Sequence, residues 1–159
     1  MTQFNTLIPL LVKGGVRFIL VGGAAAVAHG SSRLTNDLDI VYERSTENIR
    51  RIIDTLDPYQ PYLRGAPPGL PFRWETKTLA AGLNFTLTTS LGNIDLLGEI
   101  AGGGKFETLI DESSAIEIFG VSCLCVSLEK LIQLKRAAGR PKDLEVIAEL
   151  ELIRDETAK

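Results

Sequence analysis

Long apolar runs are missing from this sequence of 159 residues, and no stretch approaches the ~20 apolar residues that a membrane-spanning helix requires. The opening segment MTQFNTLIPL also lacks the basic start of a signal peptide. Basic residues are not in excess, because 17 Lys and Arg stand against 20 Asp and Glu, for a net charge of -3. We therefore expect a cytoplasmic protein with no membrane partner, in which any nucleic acid is held by a local patch.

Cysteine and histidine are scarce, with two and one residues respectively. Cys123 and Cys125 are separated by one residue in a run that alternates like a β-strand, so they form no zinc pattern, and a disulfide between them would be strained. We expect both to be reduced packing residues. His29 follows a run of alanines and is expected to pack or cap at a helix end rather than to bind a ligand.

The remaining composition is ordinary for a globular protein, with 45% apolar and 23% charged residues. A chain of this length buries roughly two-thirds of its unfolded surface when it folds. There are no internal repeats and no low-complexity tracts. We expect one domain over residues 1–159.

The most informative stretch opens with an apolar run, Phe18–Val21, which predicts a buried strand. Gly22 and Gly23 follow, and then a small-residue segment that suits a short helix over residues 24–29. After a polar loop, residues 37–41 predict a second strand that carries a carboxylate at alternate positions.

Because side chains alternate across a strand, Asp37 and Asp39 are predicted to project from one face, with Cα atoms roughly 6.5–7 Å apart. Both carboxylates can reach one cation or a close pair, and oxygen ligands of this kind suit Mg²⁺ or Mn²⁺. Gly22 and Gly23 let the backbone approach the phosphates of a substrate, and the next helix offers free N–H groups to an anion. The alternative is a helix-to-strand connection in which the two aspartates merely end a sheet.

Other polar side chains accompany the paired aspartates. Arg33 and Thr35 directly precede them and are either phosphate contacts or plain loop residues. Further along, residues 85–89 and 94–97 alternate as the two strands of a hairpin. Asp95 lies between apolar neighbours that face the other side of its strand, so it is predicted to be an inward-facing carboxylate near Asp37 and Asp39. The alternative is an exposed aspartate near a hairpin turn.

Helical periodicity covers Thr2–Lys13, where Pro9 should kink or shorten the helix, and Thr46–Leu56. Prolines and glycines then break the pattern over residues 57–82, which predicts a long irregular loop. Its Arg64 and Trp74 are among the groups that can pair with or stack on a nucleotide; the alternative is a surface excursion with Trp74 packed into a small cluster.

The C-terminal half predicts a hairpin over residues 116–126 with Gly120 at its turn. Ser127 is placed to cap a helix that ends at Gly139, and Pro141 opens the last helix at the position where proline is favoured. The glycine-rich segment 101–106 lacks the residues of a Walker loop and is interpreted as a flexible loop.

Two glycines after an apolar strand, thirteen residues and then Asp-Leu-Asp-Ile resemble the signature of the DNA polymerase β-like nucleotidyltransferase superfamily. The resemblance implies an α/β (α+β) fold: a small mixed sheet, flanking helices mainly on one side and a helical C-terminus. It also implies transfer of a nucleoside monophosphate from an NTP to an acceptor. Asp37, Asp39 and Asp95 would then hold two Mg²⁺ or Mn²⁺ ions, and Asp95, or Asp37 through water, would take the acceptor's proton. Gly23 stands where many members carry Ser.

A second resemblance lies between Lys135 and Asp143. This segment is similar to the C-terminal Lys and Arg-x-x-Asp elements of minimal nucleotidyltransferases in the AbiEii and MenT toxin group. The resemblance implies that Lys135 binds phosphate, that Asp143 is a polar or catalytic partner beside it and that Arg140 belongs to the nucleotide site. Lys142 stands where Arg is common, which weakens any bidentate contact. The alternative is a solvated corner between two helices.

The acceptor is predicted to be RNA, with tRNA favoured. This rests on a local basic cluster that consists of Lys130, Lys135, Arg136, Arg140 and Lys142. The toxin resemblance further suggests a role in a toxin–antitoxin pair with a cognate antitoxin protein. The alternatives are a protein or small-molecule acceptor, or a nucleotide-binding or interaction module of the same fold that has lost turnover.

Overall fold

A computed structural model describes residues 2–158, and within them one mixed sheet of seven strands forms the centre of the molecule. The strands are β1 (Phe18–Val21), β2 (Asp37–Tyr42), β3 (Tyr62–Leu63), β4 (Phe85–Thr89), β5 (Gly92–Leu97), β6 (Ser113–Ile118) and β7 (Val121–Val126). Their order across the sheet is β3-β4-β5-β2-β1-β7-β6. Strand β2 pairs antiparallel with β1 and parallel with β5, while β1 pairs parallel with β7.

Helices flank this sheet and form the C-terminal part of the chain. They are α1 (Phe4–Lys13), α2 (Gly22–Ala28), α3 (Thr46–Leu56), α4 (Thr76–Ala81), α5 (Phe106–Leu109), α6 (Leu128–Ala138) and α7 (Pro141–Thr157). Helix α6 packs against α7, and α2 contacts both β2 and α6. In the part of the chain described, none of them has the length and apolar character to cross a bilayer. The mixed sheet with flanking helices confirms the predicted fold class.

The central strands carry the core and thereby orient the polar residues between them. Leu38 and Ile40 of β2 are fully buried, as are their β1 neighbours Ile19 and Leu20. Because side chains alternate along β2, burial of Leu38 and Ile40 turns its two aspartates toward the opposite face.

Most predicted helix ends are confirmed. Helix α3 has the predicted bounds, and α1 continues through Pro9 but begins at Phe4 rather than Thr2. Ser127 caps α6 by accepting a hydrogen bond from the Lys130 N–H at 3.1 Å. Gly139 ends α6 in the left-handed conformation, with φ at 65°, and Pro141 opens α7.

The prediction of a long irregular loop over residues 57–82 was wrong in part. A 3₁₀ turn occupies Asp57–Tyr59, the two-residue strand β3 extends the sheet beside β4, and Thr76–Ala81 forms α4. Prolines prevent long elements in this segment but leave room for short ones between them. Trp74 is a packing residue, which was the alternative interpretation of this segment. Its indole N–H donates to the Ile53 carbonyl at 3.0 Å, and its ring packs on the core.

The scarce residues serve packing, as predicted. Cys123 and Cys125 are buried and free, and burial raises the pKa of the Cys125 thiol to about 12, with a further contribution from Cys123. The His29 Nε2 lies 2.8 Å from the Val126 carbonyl and ties the end of α2 to β7.

Asn48, buried in the first turn of α3, joins three parts of the backbone. Its Oδ1 accepts from the Arg17 N–H at 2.7 Å, and its Nδ2 donates to the Arg17 and Glu43 carbonyls at 3.0 and 2.7 Å. The side chain therefore holds the segment before β1 against the segment after β2.

We predict that Asn48→Ala lowers the free energy of unfolding by roughly 2–4 kcal/mol, because it leaves buried main-chain groups without partners. Chemical denaturation monitored by circular dichroism measures the change. Asn5→Ala, at an exposed position of α1, is the control and should change stability by less than about 0.5 kcal/mol. Equal losses in both variants would contradict the role given to Asn48.

Candidate active site

The register between β2 and β5 brings acidic residues together at one end of the sheet. Asp39 lies beside Asp95, and Asp37 lies beside Asn93, whose Nδ2 donates to the Asp37 Oδ1 at 3.2 Å. Asp37, Asp39 and Asp95 all line one cleft. The two strands thus gather carboxylates that are far apart in the sequence.

Gly22 makes room for the central carboxylate. It has φ at +63°, and a Cβ at this position would lie only 2.9 Å from the Asp39 Cγ. Both the conformation and the close approach require glycine. Gly22 therefore leaves the space that the Asp39 carboxylate occupies, and any larger residue at position 22 would displace that carboxylate.

Gly23 is packed for a different reason. A Cβ at Gly23 would lie 2.7 Å from the Thr35 Cβ, so the Thr35 side chain fills the space beside the glycine. The Thr35 hydroxyl donates to the Asp37 carbonyl at 3.2 Å. A Ser at position 23, as many superfamily members carry, would clash with Thr35 in this chain.

The opposite wall of the cleft is cationic and is built around Asp143. The Asp143 side chain is fully buried, and the Arg140 Nε donates to it at 2.7 Å while the Lys135 Nζ lies at 3.4 Å. It also accepts from the Arg140 backbone N–H at 3.2 Å, which makes it part of the capping box of α7. Asp143 thus fixes the end of α6 and the start of α7 relative to each other.

These contacts keep Asp143 ionised. Burial opposes the charged form, but the hydrogen bond from Arg140 and the charges of Lys135 and Arg140 outweigh it and lower the pKa of Asp143. The hydrogen bond to Asp143 also raises the pKa of Arg140. Since both Asp143 oxygens have partners, this side chain orients the two cations and offers no free oxygen to a ligand.

Asp39 is in the opposite electrostatic situation. Its Oδ1 is buried and has no hydrogen-bond partner among residues 2–158. Burial, a hydrogen bond and repulsion involving Asp95, and repulsion by Asp37 raise its pKa to about 8, with Lys135 opposing the shift. An orphaned buried carboxylate oxygen beside two further carboxylates is a position that a cation would stabilise.

Arg64, which follows β3, reaches into the carboxylate group from the side. Its Nη2 lies 2.8 Å from the Asp95 Oδ1 and donates to the Leu87 carbonyl at 2.7 Å, while its Nη1 lies 3.6 Å from the Asp37 Oδ2. The sequence suggested Arg64 only as one of several nucleotide contacts. No local pattern around Arg64 indicates that β3 would carry it to the aspartates.

The predicted site residues come together around one cleft. All of them except Gly22 line a cavity of about 370 Å³: Gly23, Arg33, Thr35, Asp37, Asp39, Asp95, Lys135, Arg140 and Asp143. Gly22 lines a smaller neighbouring cavity with Asp39. Asn93 was missed, although it precedes Asp95 by two residues and the same alternation along β5 would have placed it on the same face.

The donor set fits a divalent cation, although the carboxylates are not assembled around one point. Over residues 2–158, no group of three or more His, Cys, Asp and Glu side chains could hold a metal ion as it stands. Arg64 instead bridges Asp37 and Asp95. Three carboxylates, one with an orphaned oxygen, are nevertheless the hard ligands that Mg²⁺ and Mn²⁺ prefer.

Comparison with known proteins identifies the fold. No protein-family model and no curated protein matches the chain. A solved structure with which it shares its architecture shows that the chain has the fold of a nucleotidyltransferase, as the superfamily resemblance implied. That structure is the lincosamide antibiotic adenylyltransferase LnuA bound to lincomycin. The TM-score is 0.61 at 18% identity, over 92% of this chain and 93% of that one. The AbiEii and MenT subgroup stays a hypothesis.

We predict that Asp39→Asn stabilises the metal-free protein at high pH. Because the pKa of Asp39 is about 8 in the folded state and near 3.8 without these neighbours, the folded state binds more protons than the unfolded state between these values. The free energy of unfolding contributed by Asp39 therefore falls as pH rises from about 4 to 8. Asparagine removes this loss, so the variant should be more stable by a few kcal/mol at pH 8.5, since one pKa unit corresponds to ~1.4 kcal/mol.

Urea denaturation at pH 5 and pH 8.5, in the presence of a chelator, measures the effect. Asp54→Asn, on the exposed side of α3, is the matched control and should follow the pH dependence of the unsubstituted protein. Parallel pH profiles for Asp39→Asn and the unsubstituted protein would contradict the raised pKa.

Proposed function

We propose that this chain transfers a nucleoside monophosphate from an NTP to a hydroxyl group of an acceptor. The observation that carries the proposal is the arrangement of one cleft, in which Asp37, Asp39 and Asp95 lie opposite Lys135 and Arg140. An acidic wall suits metal-bound phosphate and a reacting hydroxyl, whereas a cationic wall suits the remaining phosphate charge. The nucleotidyltransferase fold supports the same reaction class.

Asp37, Asp39 and Asp95 would hold Mg²⁺ or Mn²⁺ ions, with NTP phosphates completing the ligand shell. When bound, such ions supply positive charge that neutralises the phosphates and the oxygens that attack and leave. Gly22 keeps the Asp39 carboxylate against the backbone, and Asn93 orients Asp37 through its hydrogen bond.

The chain's own residues then divide the remaining work. Lys135 keeps donors free after its contact with Asp143 and would bind the triphosphate, with Arg140 beside it. The acceptor oxygen forms a bond to the α-phosphorus, the bond to pyrophosphate breaks, and Asp95, or Asp37 through water, takes the acceptor's proton. Asp143 acts as a positioning residue for the two cations.

For the acceptor we favour a small molecule that carries a hydroxyl group. Within the basic cluster on which the RNA prediction rests, two cations are paired with acidic neighbours: Lys130 with Glu112 and Arg136 with Glu151, each at 3.0 Å. Lys135 and Arg140 share the single charge of Asp143 and lie in the cleft, where they are assigned to the triphosphate. LnuA is an adenylyltransferase of lincosamide antibiotics, and a cavity of about 370 Å³ is of a size that suits small ligands.

RNA, favoured by the sequence, is the second candidate. Exposed Lys142 and half-exposed Arg33 line the cleft, although Arg33 is paired with Glu145 at 3.5 Å, so Lys142 is the cation that the rim would offer to RNA. The role of the chain as the toxin of a toxin–antitoxin pair, with a cognate antitoxin, remains a hypothesis that depends on this acceptor.

We predict that Lys135→Ala reduces transfer by roughly a hundredfold or more, because it removes a charged donor from the triphosphate side of the cleft. Lys135→Arg should retain part of the activity, since it keeps the charge. Transfer from labelled ATP, GTP, CTP or UTP with Mg²⁺ is the measurement. Lys77→Ala, on the exposed surface of α4, is the control. Full activity in Lys135→Ala, or unfolding in its thermal melt, would show that Lys135 is not a phosphate-binding residue.

We predict that the label enters a small hydroxylated compound rather than RNA. The assay offers labelled NTP with a panel of hydroxylated antibiotics, with total RNA and with cell lysate, at two salt concentrations, and uses Asp37→Ala as the blank. Labelling of RNA that falls with salt, by a slope of about −0.7 per phosphate contact, would establish the second candidate instead. Metal-dependent NTP binding without transfer to any acceptor would favour a binding module without turnover.

A further inference from the structure

Arg64 occupies the place of a cation between two of the three carboxylates. The Arg64 backbone N–H donates to the Thr86 carbonyl at 3.0 Å, which fixes the residue at the edge of β4. From there its guanidinium reaches Asp95 at 2.8 Å and Asp37 at 3.6 Å. Because arginine stays protonated at any pH that a protein tolerates, it is a permanent positive charge in this position.

This arrangement leaves polar atoms of the site unsatisfied. Within the described residues, the Arg64 Nε and the Asp39 Oδ1 are both buried without a hydrogen-bond partner. A buried polar atom without a partner is destabilising, because it has lost its hydrogen bonds to water and gained none in return. The guanidinium therefore pairs with Asp95 and Asp37 but makes no contact with the Asp39 Oδ1. The negative charge of the three carboxylates is only partly balanced by Arg64.

The surroundings of the Arg64 side chain are open on one side. It is 25% exposed, and the next residue, Gly65, has positive φ and open space around it. Residues 67–71, which come shortly after Arg64 in the sequence, are all exposed. The hydrogen bond to Thr86 involves the Arg64 backbone and not the guanidinium, so a movement of the guanidinium would not require it to break.

We propose that Arg64 is a positioning residue that holds Asp37 and Asp95 together in the metal-free protein, and that a divalent cation binds these carboxylates by displacing its guanidinium. The inference rests on the proposed function, which supplies the reason for a cation at this site. Two positive groups cannot share the same carboxylate oxygens without repulsion. Arg64 consequently weakens metal binding in the absence of nucleotide and keeps the acidic group assembled until metal and NTP arrive.

The test measures Mn²⁺ binding to the full chain without nucleotide, by calorimetry and by the loss of the free Mn²⁺ signal in electron paramagnetic resonance. Arg64→Gln removes the charge and should bind Mn²⁺ more tightly by roughly fivefold, the factor expected for a partly exposed ion pair. Arg64→Lys keeps the charge and should bind more weakly than Arg64→Gln. Arg73→Gln, an exposed change in the same segment, is the control and should leave affinity unchanged.

A second measurement uses the unsubstituted protein and therefore does not depend on how the variants fold. Displacement exposes the guanidinium, so Mg²⁺ should raise the rate at which phenylglyoxal modifies Arg64, followed by mass spectrometry, relative to Arg73 in the same sample. Unchanged Arg64 reactivity, or Arg64→Gln that binds Mn²⁺ no more tightly than the unsubstituted protein, would overturn the proposal.

The outcomes also separate this inference from the proposed function. If the unsubstituted protein binds Mn²⁺ with NTP and transfers nucleotide while Arg64→Gln gains no affinity, the role of Arg64 alone is rejected. If neither protein binds Mn²⁺ with or without NTP, both the role of Arg64 and the metal-dependent transfer are rejected.

Discussion

Repulsion among neighbouring carboxylates is the constraint on which the rest of this structure depends. The register of β2 and β5 sets Asp39 beside Asp95, and alternation along β2 adds Asp37 on the same face. Such a group is unstable on its own, because each charge disfavours the others and burial further disfavours the charge of Asp39. Two features reduce this repulsion: the raised pKa of Asp39 favours its uncharged form, and the Arg64 guanidinium lies between Asp37 and Asp95.

The backbone leaves the carboxylates little freedom to relieve this repulsion. A slip of one residue in β2 would turn Asp37 and Asp39 into the core and expose Leu38 and Ile40, which are fully buried. Gly22 adds a local restraint, because it holds the Asp39 carboxylate against the chain reversal after β1. The core therefore enforces an arrangement that the electrostatics of the site oppose, as is common where strain serves function.

Sequence reasoning was sufficient where one local pattern determines the outcome. Strand alternation placed Asp37 and Asp39 on one face, and helix-end rules located Gly139 at the end of α6. It was insufficient where two distant segments meet, as with Arg64, because no periodicity in a proline-rich segment indicates that β3 adds to the sheet. The ion pairs of Lys130 and Arg136 were hidden for the same reason, since their acidic partners Glu112 and Glu151 lie elsewhere in the chain.

The two walls of the cleft differ in how firmly their charge is fixed. Asp143 is fully buried, but the hydrogen bond from Arg140 and the charges of Lys135 and Arg140 lower its pKa, so this carboxyl group stays ionised near neutral pH. Asp39, across the cleft, has its pKa raised to about 8 and gains or loses a proton in that range. Carboxyl groups of one cleft whose environments shift their pKa values in opposite directions are typical of sites that do chemistry. Under the proposed function, an NTP would bring negative charge to the cationic wall, and a divalent cation would bring positive charge to the acidic wall. Each would then strengthen the binding of the other, because their opposite charges attract across the cleft.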